Sequence, residues 1–138
     1  MLGLAAQWLG VNQTQANSVA PILISEEQGR HKSTFCRMLM PPQLARYYSD
    51  NLKLTAQGNP ERLLAEMGLL NMDEFDKFGA QKMPLLKNLM QMSSLNICKA
   101  YQKNFRSLPR IASFIGTSNR TDLLCDPTGS RRFICIEA

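Results

Sequence analysis

Three short apolar runs constrain this chain more than any other feature: "VAPILI" at residues 19–24, "GLLNM" at 68–72 and "IASFIG" at 111–116. None alternates apolar with polar residues, as a strand wetted on one face would. Strands covered by helices on both faces read this way, and such strands belong to parallel sheets. The segments between them have helical spacing. Residues 32–40 form one helix, stopped by "MPP". "PERLLAEMG" is a second, with Pro60 at its first position and Gly68 as its stop. "QKMPLLKNLMQMSS" is a third, with its Met and Leu residues turned to a core. "LNICKAYQKNFRSLPR" reads as a β-hairpin around "QKN", "DPTGS" as a turn and "RRFICIEA" as a last strand. "QLARYYSDNLKLTAQGNP" reads mostly as loop with a short strand. Together these predict a three-layer α/β domain with a mainly parallel sheet and an inserted hairpin. Residues 1–18 read as a helix, over 4–10, and a linker, and residues 19–138 as the core, cut short at its C-terminal end.

In such sheets ligands bind beyond the carboxyl ends of the strands. Here each of the three apolar runs ends in chemistry: Lys32-Ser33 after the first, Asp73-Glu74 after the second, Asn119 after the third. The segment Gln28-Gly29-Arg30-His31-Lys32-Ser33-Thr34 joins a strand to a helix, as a phosphate-binding loop does. In the pattern GxxxxGK[ST], however, Glu26 and His31 stand where the two glycines belong. If position 31 needs a positive φ, a side chain there costs about 1 kcal/mol or more. Asp73 suits a Mg²⁺ partner, and Glu74 suits a carboxylate that polarises water for attack on a phosphate; alternatively, both acids cap the next helix. Asn119 either orients that water or makes a turn. Arg131 and Arg132 either reach a neighbouring subunit's phosphate or stand as a surface pair.

The net charge of +5 is unevenly spread, with no Asp or Glu from Lys77 to Thr121. A one-signed stretch of this length points to a polyanion partner or to a solvated basic face. Its hairpin carries Lys99, Lys103, Arg106 and Arg110, with Tyr101 placed to stack on a base. No apolar run approaches the roughly 20 residues of a membrane span, and "MLGLAAQWLG" is no signal peptide. Four scattered cysteines and one histidine favour a reduced, cytoplasmic chain over a disulfide framework or a zinc site.

"LISEEQGRHKSTF", "GLLNMDEFDKF", "IASFIGTSNR" and "DPTGSRRF" together resemble the virulence-associated protein E family over about residues 19–138. Those proteins look like primase-helicases of phages and mobile elements, with a P-loop NTPase core related to superfamily 3 helicases of the AAA+ group. The resemblance implies ATP and Mg²⁺ as cofactors, with Lys32 on phosphate and Ser33 on the metal beside Asp73. It also implies Glu74 in the second acidic motif, Asn119 as sensor, and Arg131 or Arg132 as arginine finger. Single-stranded or forked DNA is the implied partner, met by the hairpin, and a homo-oligomeric ring the implied assembly. The family's loop reads closer to "GxQGxGKS", and this chain lacks two of those glycines. The expectation is an ATP-hydrolysing, helicase-like replication protein; the alternative is a non-hydrolysing DNA-binding or assembly module.

Overall fold

The computed structural model describes residues 2–9, 19–54, 60–77, 81–98, 105–120 and 133–137. Helix α1 spans Leu2–Leu9, strand β1 Ala20–Ile24 and helix α2 Lys32–Met38. A 3₁₀ turn, Pro42–Tyr47, leads into β2, Tyr48–Ser49, and helix α3, Pro60–Glu66, precedes β3, Leu69–Met72. A second 3₁₀ turn covers Phe75–Lys77, and α4 covers Met83–Gln91. The hairpin strands are β4, Ser94–Cys98, and β5, Phe105–Pro109. Strands β6, Ser113–Ser118, and β7, Phe133–Glu137, complete the order. The helices and strands thus fall where periodicity put them, within two or three residues at the ends, while the 3₁₀ turn at Pro42–Tyr47 occupies a stretch read mostly as loop. The expected "DPTGS" turn lies outside the described residues.

The main sheet runs β2-β3-β6-β1-β7, and every pairing in it is parallel. Central β6 is buried at all of its positions, between β3 (Leu70 beside Phe114) and β1 (Ile22 beside Gly116). Its Gly116 admits a close approach: a Cβ there would lie 2.6 Å from Ile22 Cδ1. The two sheet faces carry separate cores. Ile22, Ile24, Leu70 and Met72 pack with Leu64, Phe75, Leu86, Leu89 and Met90. On the other face Leu23, Leu69 and Ile115 pack with Cys36 and Met40, and Trp8 covers them from α1. Helices on both faces and parallel strands between them give the expected three layers. Among the described residues no helix is long and apolar enough to cross a membrane.

Among the described residues, strand β7 lies at one edge of the sheet. Its Phe133 enters the core, while Ile134 and Ile136 are exposed. By register these two lie beside Pro21 and Leu23, on the face that α2 covers. Helix α2 leans the other way: its Arg37 reaches Asp50 and lies over the Tyr48 ring, toward β2 at the opposite end.

The hairpin forms its own two-stranded antiparallel sheet, with Asn96 opposite Ser107. Its base is tied down by Arg110, whose N–H donates to the carbonyl of Ser93. The Arg110 side chain is a correction to the sequence reading. It is 1% exposed, and its guanidinium donates to the carbonyls of Met90 (2.5 Å) and Leu89 (3.3 Å) and lies over the Phe114 ring. Those carbonyls lie in the last turn of α4, where Leu89 also accepts from the Met92 N–H, and a buried cation there complements the helix dipole. Burial lowers the pKa of this arginine to about 10, and it remains charged at neutral pH. Arg110 is a structural cap, and its buried side chain is not presented to a partner at the surface.

Candidate functional site

The carboxyl ends of β1, β3 and β6 open into one cleft of about 380 Å³. All seven residues from Gln28 to Thr34 line it, together with Asp73, Glu74, Thr117, Ser118 and Asn119. The loop after β1 is pinned at its start by Ser25, whose N–H donates to the carbonyl of Ser118. It then turns through Gly29 at φ 83° and His31 at φ 52°, both left-handed. So position 31 does require a positive φ, and histidine accepts it. The carbonyl of His31 takes the first helical bond, from the Phe35 N–H at 2.9 Å. Glu26 and Glu27 are exposed, and Glu27 pairs with Arg30, so neither carboxylate is committed to the cleft floor.

Lys32 and Asn119 meet across the loop and the tip of β6. The Lys32 ammonium donates to Asn119 Oδ1 at 2.7 Å and to the carbonyl of Ser25 at 2.9 Å. On the β3 side the Ser33 hydroxyl donates to Asp73 Oδ1 at 2.7 Å. Thr117, one position beyond the Met72–Gly116 pairing, donates to the same oxygen at 2.5 Å. Partial burial alone would raise the Asp73 pKa, but the hydrogen bonds from Thr117 and Ser33, helped by Lys32, bring it below the ordinary value. Glu74 is also left-handed, at φ 53°, and its N–H donates to Thr117 Oγ1. Its carboxylate is engaged by Lys77 at 2.6 Å on an exposed edge. Asp76 accepts from the Ser118 hydroxyl at 3.1 Å.

This arrangement can hold a hard cation and a polyanion side by side. Ser33 and Asp73 supply hydroxyl and carboxylate oxygens, the donor types Mg²⁺ takes from a protein when phosphates and water complete its shell. No cluster of three or more His, Cys, Asp or Glu occurs among the described residues.

The family model for the virulence-associated protein E-like domain matches residues 9–138. The chain belongs to that family. A comparison with curated proteins returned no match. Among solved structures, an apo structure of the NrS-1 C-terminal region (305–718) has a TM-score of 0.65 at 22% identity. It is matched over 99% of this chain and 34% of its own length. The A form apo structure of that region has a TM-score of 0.60 at 23% identity, over 99% of this chain and 32% of that one. These likenesses concern the fold, and the chain spans about a third of the region they share.

In this VapE-like domain the residues read as DNA contacts do not form one described surface. Lys99, Tyr101 and Lys103 lie outside the described residues, as do Arg131 and Arg132. Arg106 is in β5, and its side chain lies outside the described part. Within the acid-free stretch Arg110 is internal and Lys77 is paired with Glu74, so the run is not a single basic face. The residue that sequence reading missed is Thr117. A threonine just past an apolar run looks like ordinary strand, and only the β3–β6 register brings it against Asp73.

Proposed function

We propose that this VapE-like domain binds Mg²⁺-ATP in the cleft and is the ATP-binding core, P-loop and AAA+-like, of a helicase-like DNA replication protein of a mobile element or phage. The observation that carries the reading is the meeting of Lys32, Ser33, Asp73 and Asn119 from three strand ends in one cleft, in two hydrogen-bonded pairs, Lys32 with Asn119 and Ser33 with Asp73. Lys32 would exchange its bonds to Ser25 and Asn119 for the outer phosphates, with the loop's backbone N–H groups beneath them. Ser33 and Asp73 would hold Mg²⁺, which offsets charge on the phosphates when bound. Asn119, released by Lys32, would orient water, and Glu74 would polarise it once Lys77 lets go. Arg131 or Arg132 would act on the nucleotide of a neighbouring subunit in a ring, and Lys99, Tyr101, Lys103 and Arg106 on single-stranded or forked DNA.

A specific observation favours the second reading, a non-hydrolysing DNA-binding or assembly module. Glu74 is held by Lys77, and His31 occupies a left-handed position suited to glycine. Titration of a fluorescent ATP analogue with and without Mg²⁺ tests both. The enzyme reading expects Mg²⁺-dependent binding, weakened about tenfold by Lys32→Ala (about 1.4 kcal/mol), and turnover in the parent. Equal affinity of parent and variant removes the nucleotide site; tight binding with no turnover, even with DNA, leaves the module.

A further inference from the structure

We propose that Thr117 is the positioning residue of the metal side of the cleft, fixing the Asp73 carboxylate and the Glu74 backbone with one hydroxyl. The inference rests on the nucleotide-site reading above and adds to it a residue with no role there. Thr117 is 3% exposed, so its hydroxyl has little access to water and must find its partners within the protein. A hydroxyl offers one proton and two lone pairs. Here the proton goes to Asp73 Oδ1 at 2.5 Å, and a lone pair accepts the Glu74 N–H at 3.3 Å. The single group therefore spans two consecutive residues with different tasks.

Both tasks need holding. Asp73 is at the cleft's open side, where an unsupported carboxylate would sample several rotamers; Thr117 and Ser33 converge on one of its oxygens. Ser33 is itself a candidate metal ligand, so its bond to Asp73 must rearrange when a cation enters. Thr117 lies behind, on β6, and its bond can persist in both states. Glu74 sits at φ 53°, a conformation unfavourable for a residue with a Cβ, and the bond from its N–H to Thr117 is one contact that offsets the strain. Parallel pairing of Met72 with Gly116 sets the spacing, so the support is built into the sheet.

Three variants test this: Thr117→Val, which keeps shape and loses the hydroxyl, and Thr117→Ser with Thr117→Ala, which differ from each other by the hydroxyl alone. Fluorescent ATP-analogue binding is measured against Mg²⁺ concentration and again in EDTA. Thr117→Val should raise the Mg²⁺ needed for half-maximal binding about tenfold while leaving the EDTA affinity within twofold of the parent. Thr117→Ser should restore the parental Mg²⁺ dependence, and Thr117→Ala should not. Should Thr117→Val fail to fold, the Ser and Ala pair carries the same comparison. An unchanged Mg²⁺ dependence, or equal losses with and without the metal, overturns the positioning role while the nucleotide site stands. A parent protein that binds no nucleotide in Mg²⁺ overturns both.

Discussion

Lys32 and Asn119, 87 residues apart in the chain, share a 2.7 Å hydrogen bond that closes the floor of the cleft. The sensor candidate thus engages the lysine, and a phosphate would have to compete with an amide for it. The pair should be energetically coupled. Urea unfolding of Lys32→Ala, Asn119→Ala and the double variant should give a coupling of about 0.5–1.5 kcal/mol, and strictly additive losses would mean the bond contributes nothing in solution.

Glu74 and Lys77 make a second prediction. Glu74→Gln should retain nucleotide and lose hydrolysis by about a hundredfold or more. Lys77→Ala removes an exposed partner, so melting temperature should hardly move. If the ion pair restrains Glu74, that variant should hydrolyse faster than the parent in the absence of DNA. Unchanged turnover would show that the pair is incidental.

At the left-handed position His31, glycine should be more stable than the native residue. His31→Gly relieves a Cβ clash of about 1 kcal/mol, less the extra chain entropy of glycine, so a net gain of a few tenths is expected by urea unfolding. A loss of stability would show that the imidazole makes contacts worth more than the strain.

Arg110 separates stability from DNA binding. Arg110→Met leaves the last carbonyls of α4 without their buried donor and should cost about 1–3 kcal/mol. Any DNA affinity of the folded variant should keep its salt dependence, because a buried side chain neutralises no phosphate. By contrast, alanine at both Lys99 and Lys103 should lower that slope by about one to one and a half. A slope reduced by Arg110→Met would mean that the residue leaves its burial site on binding.

Burial pushes the Cys36 thiol up from 9.0 to about 11. The folded state therefore holds the thiol neutral while the unfolded chain ionises near 9. Its contribution to stability is complete below about pH 9 and declines as pH rises toward 11. Cys36→Ala should flatten that part of the profile. At pH 8 native Cys36 should resist alkylation until the protein unfolds; rapid labelling would contradict its complete burial.

Much of this fold was legible because its signals are local. Unbroken apolar runs marked β1, β3 and β6, Pro60 began α3, and Met-Pro-Pro ended α2. Lys32, Asp73 and Asn119 could be singled out because each follows a strand, and strand ends in a parallel sheet share one edge. Register hid the rest. Thr117 looks like any β-branched strand residue until β3 is laid beside it. Arg110 was misread because counting charge along a chain ignores where the chain turns inward. Its neighbours Ile111 and Ala112, both leading into the core strand, carried the contrary signal. The left-handed turn at His31 was foreseeable from the glycine the loop pattern expects there, whereas nothing local marks Glu74.

Two isoleucines on the terminal strand bear on how assembly should be measured. An edge strand with exposed apolar side chains beside it can add a strand from another molecule with little specificity. Concentrated samples can then sediment as dimers or larger species for reasons unrelated to nucleotide. Such association should strengthen with sulfate, ignore ATP and Mg²⁺, and disappear in Ile136→Lys. Subunits brought together through the cleft should show the opposite pattern: dependent on Mg²⁺-ATP and tolerant of that lysine. Running the lysine variant in parallel lets one ultracentrifugation series tell stickiness from assembly.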